Sequence, residues 1–460
     1  MYIDESIPRL RDLFFSATPF SIIIASHNHQ SCMYPNLYYF LKEVFHIEPW
    51  GFTQYINSFG FFVALSFLLA AYLLANELKR KEKQGLLQPK EEVLIVGDAA
   101  KPAELIFNFV FGFIVGYKML GVFFNAGDTH PQDYIFSAKG SWAGGILLGL
   151  LFSGLRYYEK QKQKLAQPEK RTIRIWPHER VGDITIMAAV AGFLGAKLFD
   201  NLENWDRFIQ NPIANLLSPS GLTFYGGLIC ATIAILWFAR KKNIGLLHLC
   251  DAAAPALMIS YATGRIGCQV SGDGDWGIFN SAYKLDPDGS ITAGTTADFN
   301  AALGKSPEFS QYLIGEYGSL DKVPHAAFKG PSFLPDWLFA YNYPHNVNEV
   351  GATIPDCTGN YCSQLNPLVF PTPFYEFIAC TILFFVLWSL RKKLHVAGQM
   401  FGLYLIFNGL ERFFIEKIRV NSTYDIFGFH PTQAELISTF LVIAGAFLLF
   451  RSSKVAKAKA

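Results

Sequence analysis

Long apolar runs separated by short polar segments are the dominant pattern of this 460-residue chain. A helix needs about 20 mostly apolar residues to cross the hydrocarbon core of a bilayer. Nine stretches meet that requirement, at roughly 59–76, 103–124, 141–158, 183–200, 221–239, 247–267, 373–390, 398–416 and 434–450. So many long runs exceed what the core helices of a soluble protein supply. The predicted fold class is an all-α polytopic membrane protein with about nine transmembrane helices. Its parts are an N-terminal segment 1–58, six helices over 59–267, a long connection 268–372, and three helices with a tail over 373–460.

Charge then sets the orientation. Charged residues make up 17% of the chain, against roughly 25% in a soluble domain. Basic residues gather from Lys79 to Lys83, Lys160 to Arg174, Arg240 to Lys242, Arg391 to Lys393 and in the tail from Arg451. These clusters fall at alternate helix ends, on one face of the bilayer, which the positive-inside rule makes cytoplasmic. The N-terminus and the 268–372 connection are therefore expected outside, and the C-terminus inside. The connection carries eleven Asp or Glu against four Lys. No basic face for a nucleic acid is visible. No basic segment followed by an apolar region and a cleavage site opens the chain, so a cleaved signal peptide is not expected.

The seven cysteines add little. Cys357 and Cys362, in DCTGNYC, fall in the outer connection and are either a disulfide or two free thiols. Cys230, Cys250 and Cys380 lie in helices and read as packing residues. His27, His29 and Cys32 lack a fourth ligand, and no metal is expected.

An internal repeat shapes the first half. ELIFNFVFGFIVGYKML begins at Glu104 and DITIMAAVAGFLGAKLF at Asp183. Each opens with an acid and carries Gly-x-Lys near its outer end. Each is followed by a loop and a helix with a glycine pair, Gly144 and Gly145 in SWAGGILLGLL, Gly226 and Gly227 in TFYGGLICATI. The pattern reads as a duplicated helical hairpin, 103–158 and 183–239.

Ionisable groups inside spans are costly and point to function. Lys118, Lys197, Arg265 and Arg412 all fall toward the predicted outer half of the bilayer. The two lysines are long enough to snorkel to the interface. Arg265 sits in GRIGCQVSGDGDWG, where Gly264 and Gly267 let a backbone or head group approach closely. Arg412, in NGLERFFIEKIRV, precedes Glu416 by four residues and Arg419 by seven, a spacing that predicts one helix face. Glu376, in PTPFYEF, opens a neighbouring span. Two guanidiniums facing the outer leaflet form a fork that matches phosphate oxygens. The alternative is an architectural Arg–Glu network joining the helices.

Together these stretches resemble the prolipoprotein diacylglyceryl transferases. GRIGCQVSGDGDWG is similar to that family's GR(L/I)GNF(I/L)NGE(L/x)WG, FYGGLI to its FHGGLI and PTPFYEF to its P-(T/S)-Q-L-Y-E. The stretch from Gly402 to Arg419, HPTQAELIS and NSFGFFVALSFLLAAYLL resemble later and first spans of the family. The family has seven spans, and one added hairpin makes nine. The resemblance implies a multi-pass protein of the bacterial inner membrane. It would move a diacylglyceryl group from phosphatidylglycerol, or a similar anionic phospholipid, to the lipobox cysteine of a prolipoprotein or to a related acceptor, without a cofactor. Arg265 and Arg412 would hold the phosphate, with Glu416 orienting Arg412. Lys197, Gly226, Gly227, Gly264, Gly267, Cys268, Gly277, Glu376 and Arg419 would complete the lipid site.

The departures fall on the half expected to handle the thiol. The family's His before the glycine pair is Tyr225, its Asn after GRxG is Cys268, and the acid of its NGE is Asp273, with one extra residue before Trp276. Two family tyrosines align with Phe59 and Asn408, and a basic residue is Lys197 in place of Arg. Tyr225, Asp273, Asp275 and Glu416 are the candidates for acid–base work. A non-catalytic lipid-binding or lipid-transporting protein that kept the lipid site is the alternative.

Overall fold

Each of the nine apolar stretches is a helix in the computed structural model, which describes residues 33–125, 134, 137–218, 221–357, 360–421, 424–425 and 429–459. His27, His29 and Cys32 lie outside the described residues. The long helices are α1 (Ser58–Lys83), α2 (Pro102–Asn125), α3 (Trp142–Gln163), α4 (Val181–Glu203), α5 (Phe224–Lys241), α6 (Leu246–Ser271), α7 (Thr372–Leu390), α8 (Gln399–Glu416) and α9 (Gln433–Lys459). Several outrun their apolar stretch, because charged turns such as Lys79 to Lys83 continue a helix past the hydrocarbon. Starts are capped where the sequence supplies Asn or Ser. Asn57 accepts from the Phe59 and Gly60 amides, and Ser141 from that of Gly144.

Among the described residues, seven helices are long and apolar enough to cross a membrane: α1, α2, α4, α5, α6, α7 and α9. The other two are interrupted by charge. Arg156, Glu159 and Lys160 end the apolar part of α3 early, and the 18-residue α8 carries Glu411, Arg412 and Glu416.

The chain divides into two compact units. The first, Pro35–Ser271 with Thr372–Ala460, holds all nine helices. Its core joins α1, α4, α6, α7 and α8 through Leu74, Leu78, Ile184, Ala252, Met258, Leu387 and Met400. Large apolar side chains remain exposed around it, including Phe107, Leu147, Leu198, Ile233 and Phe440. Such a surface suits lipid, since in water a continuous apolar face of this extent is a liability.

Strands β1 (Lys90–Val96) and β2 (Glu169–Ile175) pair antiparallel, Lys90 opposite Ile175 and Val96 opposite Glu169. The hairpin α2–α3 is therefore inserted between two strands that close on each other. The ribbon is tied to the base of α4 and α5. Glu92 receives Arg180 at 2.8 Å and Lys242 at 2.9 Å, and Lys90 donates to the Lys241 carbonyl at 2.7 Å.

The second unit is Gly272–Pro371 with Met33 and Tyr34. What the sequence suggested as a loop has its own core of Met33, Phe279, Phe299, Phe309, Leu313, Tyr341 and Tyr343. Helices Thr296–Lys305 and Pro307–Tyr317 supply part of it. A capping box between Thr295 and Asp298 starts the first. Short strand pairs complete the unit, among them Tyr283–Leu285 with Ile291–Ala293 and Ala352–Thr353 with Ser363–Gln364. Cys357 and Cys362 form a disulfide, the first of the two options their spacing left open. Elements of two to eleven residues are too short to print a periodicity on the sequence, which is why this fold was not legible there.

Candidate lipid head-group site

Glu376 is the centre of the site. It lies in α7, one turn past the Pro-Thr-Pro start, and is 0% exposed. An ionised carboxylate is held at such a position only by partners. Helix α6 brings the Arg265 Nε onto its Oε2, and Tyr261, one turn earlier on α6, donates to the same oxygen at 2.6 Å. Helix α8 brings Arg412, whose Nη1 is 3.5 Å from Oε1, and Arg419 donates to Oε1 at 3.2 Å. Three guanidiniums, from α6, α8 and the segment just after α8, converge on one carboxylate.

Further contacts fix each arginine. The Arg265 guanidinium stands over the Tyr261 ring at 4.9 Å, a cation–π contact whose i, i+4 spacing comes from the helix itself. Its Nη1 also reaches the Cys268 sulfur at 3.9 Å. Arg412 Nη2 pairs with Glu416 Oε2 at 3.1 Å, one turn on. Asn421 donates to the other Glu416 oxygen at 2.6 Å. Tyr225, at the start of α5, lies in the electrostatic field of Arg412, Glu416 and Arg419.

Arg412, Glu416 and Arg419 do not share one helix face, as the spacing had suggested. Helix α8 ends at Glu416, and Arg419 belongs to the turn beyond it. The turn carries Arg419 back to Glu376, a convergence that an unbroken helix would not give.

The glycines are mostly packing devices. A Cβ on Gly226 would stand 2.7 Å from the Gly195 carbonyl oxygen, and one on Gly227 3.0 Å from that of Gly192, so both hold α4 and α5 at close approach. Gly267 meets Phe62 of α1 in the same way, at 2.9 Å. Gly264 faces open space instead. Lys197 is 5% exposed and donates to the Gly221 carbonyl at 3.4 Å.

Asp273, Asp275 and Gly277 belong to the second unit. The acids sit on a turn that needs glycine twice. Gly272 has φ of 64° and Gly274 of 97°, and a Cβ on Gly272 would fall 2.8 Å from Asn346 Cβ. The Gly277 amide donates to the Phe370 carbonyl at 2.9 Å.

Sequence reasoning missed Tyr261, Asn421 and Glu411. Tyr261 had a readable signal, an aromatic four residues before an arginine on one helix. Asn421 had none, because its partner is set by the turn after α8.

A bundle of apolar helices with three arginines gathered on one buried carboxylate defines a polytopic membrane protein. The sequence profile of the prolipoprotein diacylglyceryl transferase family matches residues 146–451, and the chain belongs to that family. The match includes every residue of the cluster. A relative from Shouchella clausii, named phosphatidylglycerol–prolipoprotein diacylglyceryl transferase, is 26% identical over 320 residues, 68% of this chain and 88% of its own. Proteins of the same name from Dehalococcoides mccartyi and Lysinibacillus sphaericus are each 26% identical, over 288 and 281 residues, covering 61% of this chain and 83% and 79% of theirs.

Proposed function

We propose that this protein, in the bacterial cytoplasmic membrane, transfers the diacylglyceryl group of phosphatidylglycerol to the lipobox cysteine of prolipoproteins or to a related acceptor thiol. The observation that carries this reading is the gathering of Arg265, Arg412 and Arg419 on Glu376 in a chain of this family. In the reaction a thiolate sulfur attacks a glycerol carbon, the C–S bond forms, and the C–O bond to phosphate breaks. The electron pair leaves with the phosphate. Guanidiniums aimed at that oxygen stabilise the charge as it grows. Arg265 and Arg412 hold the phosphate in this scheme, and Arg419 and Glu416 keep them in place. Lys197, Cys268 and the glycines Gly226, Gly227, Gly264, Gly267 and Gly277 line or shape the lipid site.

The Tyr225 phenol, held beside Arg412, donates a hydrogen bond to the departing phosphate. Asp273 and Asp275 are the proposed acceptors of the thiol proton. All nine helices cross the bilayer in this reading. Helix α3 has 22 residues, about 33 Å of length, and α8 has 18, about 27 Å. Each packs against a more apolar partner through glycines in backbone contact, Gly116 with Gly144 and Gly402 with Gly445. The second unit then lies outside and the β1–β2 ribbon in the cytoplasm.

Tyr225 in place of the family's His favours one competing reading, lipid binding without transfer. The deciding test is growth of a bacterial strain depleted of its own diacylglyceryl transferase. The parent chain is expected to restore growth and thioether-modified lipoprotein, and Arg265→Ala and Arg412→Ala to fail while still inserting. A parent chain that binds phosphatidylglycerol yet restores nothing would establish the competing reading.

A further inference from the structure

Glu411 precedes Arg412 on α8 and has no part in the scheme above. It is 8% exposed, and neither carboxylate oxygen has a hydrogen-bond partner among the described residues. The charged and titratable groups that act on it include Tyr261 and Arg265 of α6 and Glu376 and Cys380 of α7. Its own helix adds Tyr404 and Arg412, with Arg419 just beyond the end.

The three acids near the arginines are not equivalent. Glu376 has three guanidiniums and a phenol, and Glu416 has Arg412 and Asn421. Glu411 has no donor among the described residues and stands in the repulsive field of Glu376. A buried carboxylate without donors beside a second carboxylate is costly as an anion and far cheaper as the neutral acid. The charge count makes this consequential. With every group ionised, Arg265, Arg412 and Arg419 are cancelled by Glu376, Glu411 and Glu416. A cancelled cluster offers a phosphodiester monoanion no net attraction, whereas a proton on Glu411 leaves one positive charge to match it.

We propose that Glu411 is a positioning residue that sets the charge of the arginine cluster, carrying a proton when the lipid phosphate binds. The proposal rests on the phosphate-holding role of Arg265 and Arg412. It predicts the sign of a pH effect. Raising the pH removes the proton, cancels the cluster and weakens lipid binding.

The test is a titration of the purified full chain in neutral detergent with short-chain phosphatidylglycerol, between about pH 5.5 and about pH 9. The parent should lose affinity roughly tenfold across that range, and Glu411→Gln, which cannot ionise, should lose less than about twofold. If Glu411→Gln does not accumulate, Glu411→Met carries the same expectation. A Glu411 variant that keeps the parent's slope, or a parent with no slope, overturns the proposal. Failure of the underlying reading would look different, because Arg412→Ala would then bind the lipid as well as the parent at the acid end.

Discussion

In the hairpin α2–α3 the Ser141 amide donates to the Tyr117 carbonyl at 2.8 Å, and in α4–α5 the Thr223 amide donates to the Ala196 carbonyl at 3.1 Å. The parallel continues around these bonds. Gly116 and Gly144 face each other backbone to backbone, as do Gly195 and Gly226. Lys118 donates to the carbonyls of Tyr134 and Lys139 at 3.0 and 2.9 Å, and Lys197 to that of Gly221. The glycine pairs and lysines thus build the same turn-and-hairpin scaffold twice. The differences lie in what is attached. Where α5 presents Tyr225 before its glycine pair, α3 presents Ala143. Helix α4 packs on α1 through the shared core, whereas the inserted hairpin joins the rest through the ribbon and through the Phe52–Phe123 and Tyr55–Tyr134 ring contacts. In the proposed scheme the two hairpins therefore differ by one side chain, Tyr225, and by the neighbours that α6, α7 and α8 provide.

The largest expected effect separates the two hairpins outright. Replacing residues 97–168 with an Asn-Gly turn joins β1 to β2 in a two-residue hairpin loop. That protein is expected to insert and to keep transfer within about tenfold of the parent, since no cluster residue is lost. Removing α4–α5 instead should abolish transfer and accumulation. Loss of activity on removing the inserted hairpin, in a protein that still folds, would break the comparison.

A single side chain sharpens it next. Tyr225→Phe is expected to lower turnover about 100-fold, the lower end of what one hydrogen-bond donor to a developing oxyanion contributes, with a smaller change in lipid binding. Tyr225→His should retain the fold, as the resembling family carries His there. Ala143→Tyr should change neither quantity. Parallel lipid-binding and transfer assays on the three variants decide this.

The lysines should diverge more modestly. Lys197→Met, at a buried position that the proposed scheme assigns to the lipid site, should reduce transfer about tenfold. Lys118→Met should leave transfer intact and lower the midpoint of thermal unfolding by about 2–4 °C, through the loop carbonyls it deserts.

The smallest effect concerns the ribbon. Lys242 and Arg180 hold the Glu92 carboxyl below the usual carboxylate range. A depressed carboxylate contributes stability above its unfolded value, near 4.3, and loses it as the pH falls through the folded value. Glu92→Gln should therefore lower stability by about 1 kcal/mol or less at pH near 7, with the difference fading below a pH of about 4. Thermal unfolding of parent and variant at the two pH values measures it.

Much of the architecture was legible before any coordinates. Apolar length alone located nine helices, and Gly-x-Lys with the paired glycines marked two hairpins of similar pattern. Arg265, Arg412 and Glu376 stood out because charge in an apolar run has few innocent explanations. The one-face assignment of Arg419 failed for a definite reason. Helical spacing applies only while the helix lasts, and α8 stops at Glu416. The fold of Gly272–Pro371 escaped notice because its core residues come from many short elements.

What the sequence by itself determined were properties local to a segment: which stretches are apolar, where basic clusters bound them, and where Ser, Asn and glycine allow helices to start or touch. These depend on composition and spacing within about 20 residues, the range over which a helix or a turn is built. That one of the two hairpins lies between two paired strands was not among them. That was decided by the pairing of Lys90–Val96 with Glu169–Ile175, strands with the whole hairpin between them. Nor could the sequence say that three arginines would share one buried carboxylate and leave Glu411 without a donor. Those facts depend on the approach of α6, α7 and α8, and distances between segments so far apart along the chain are set only when the helices pack.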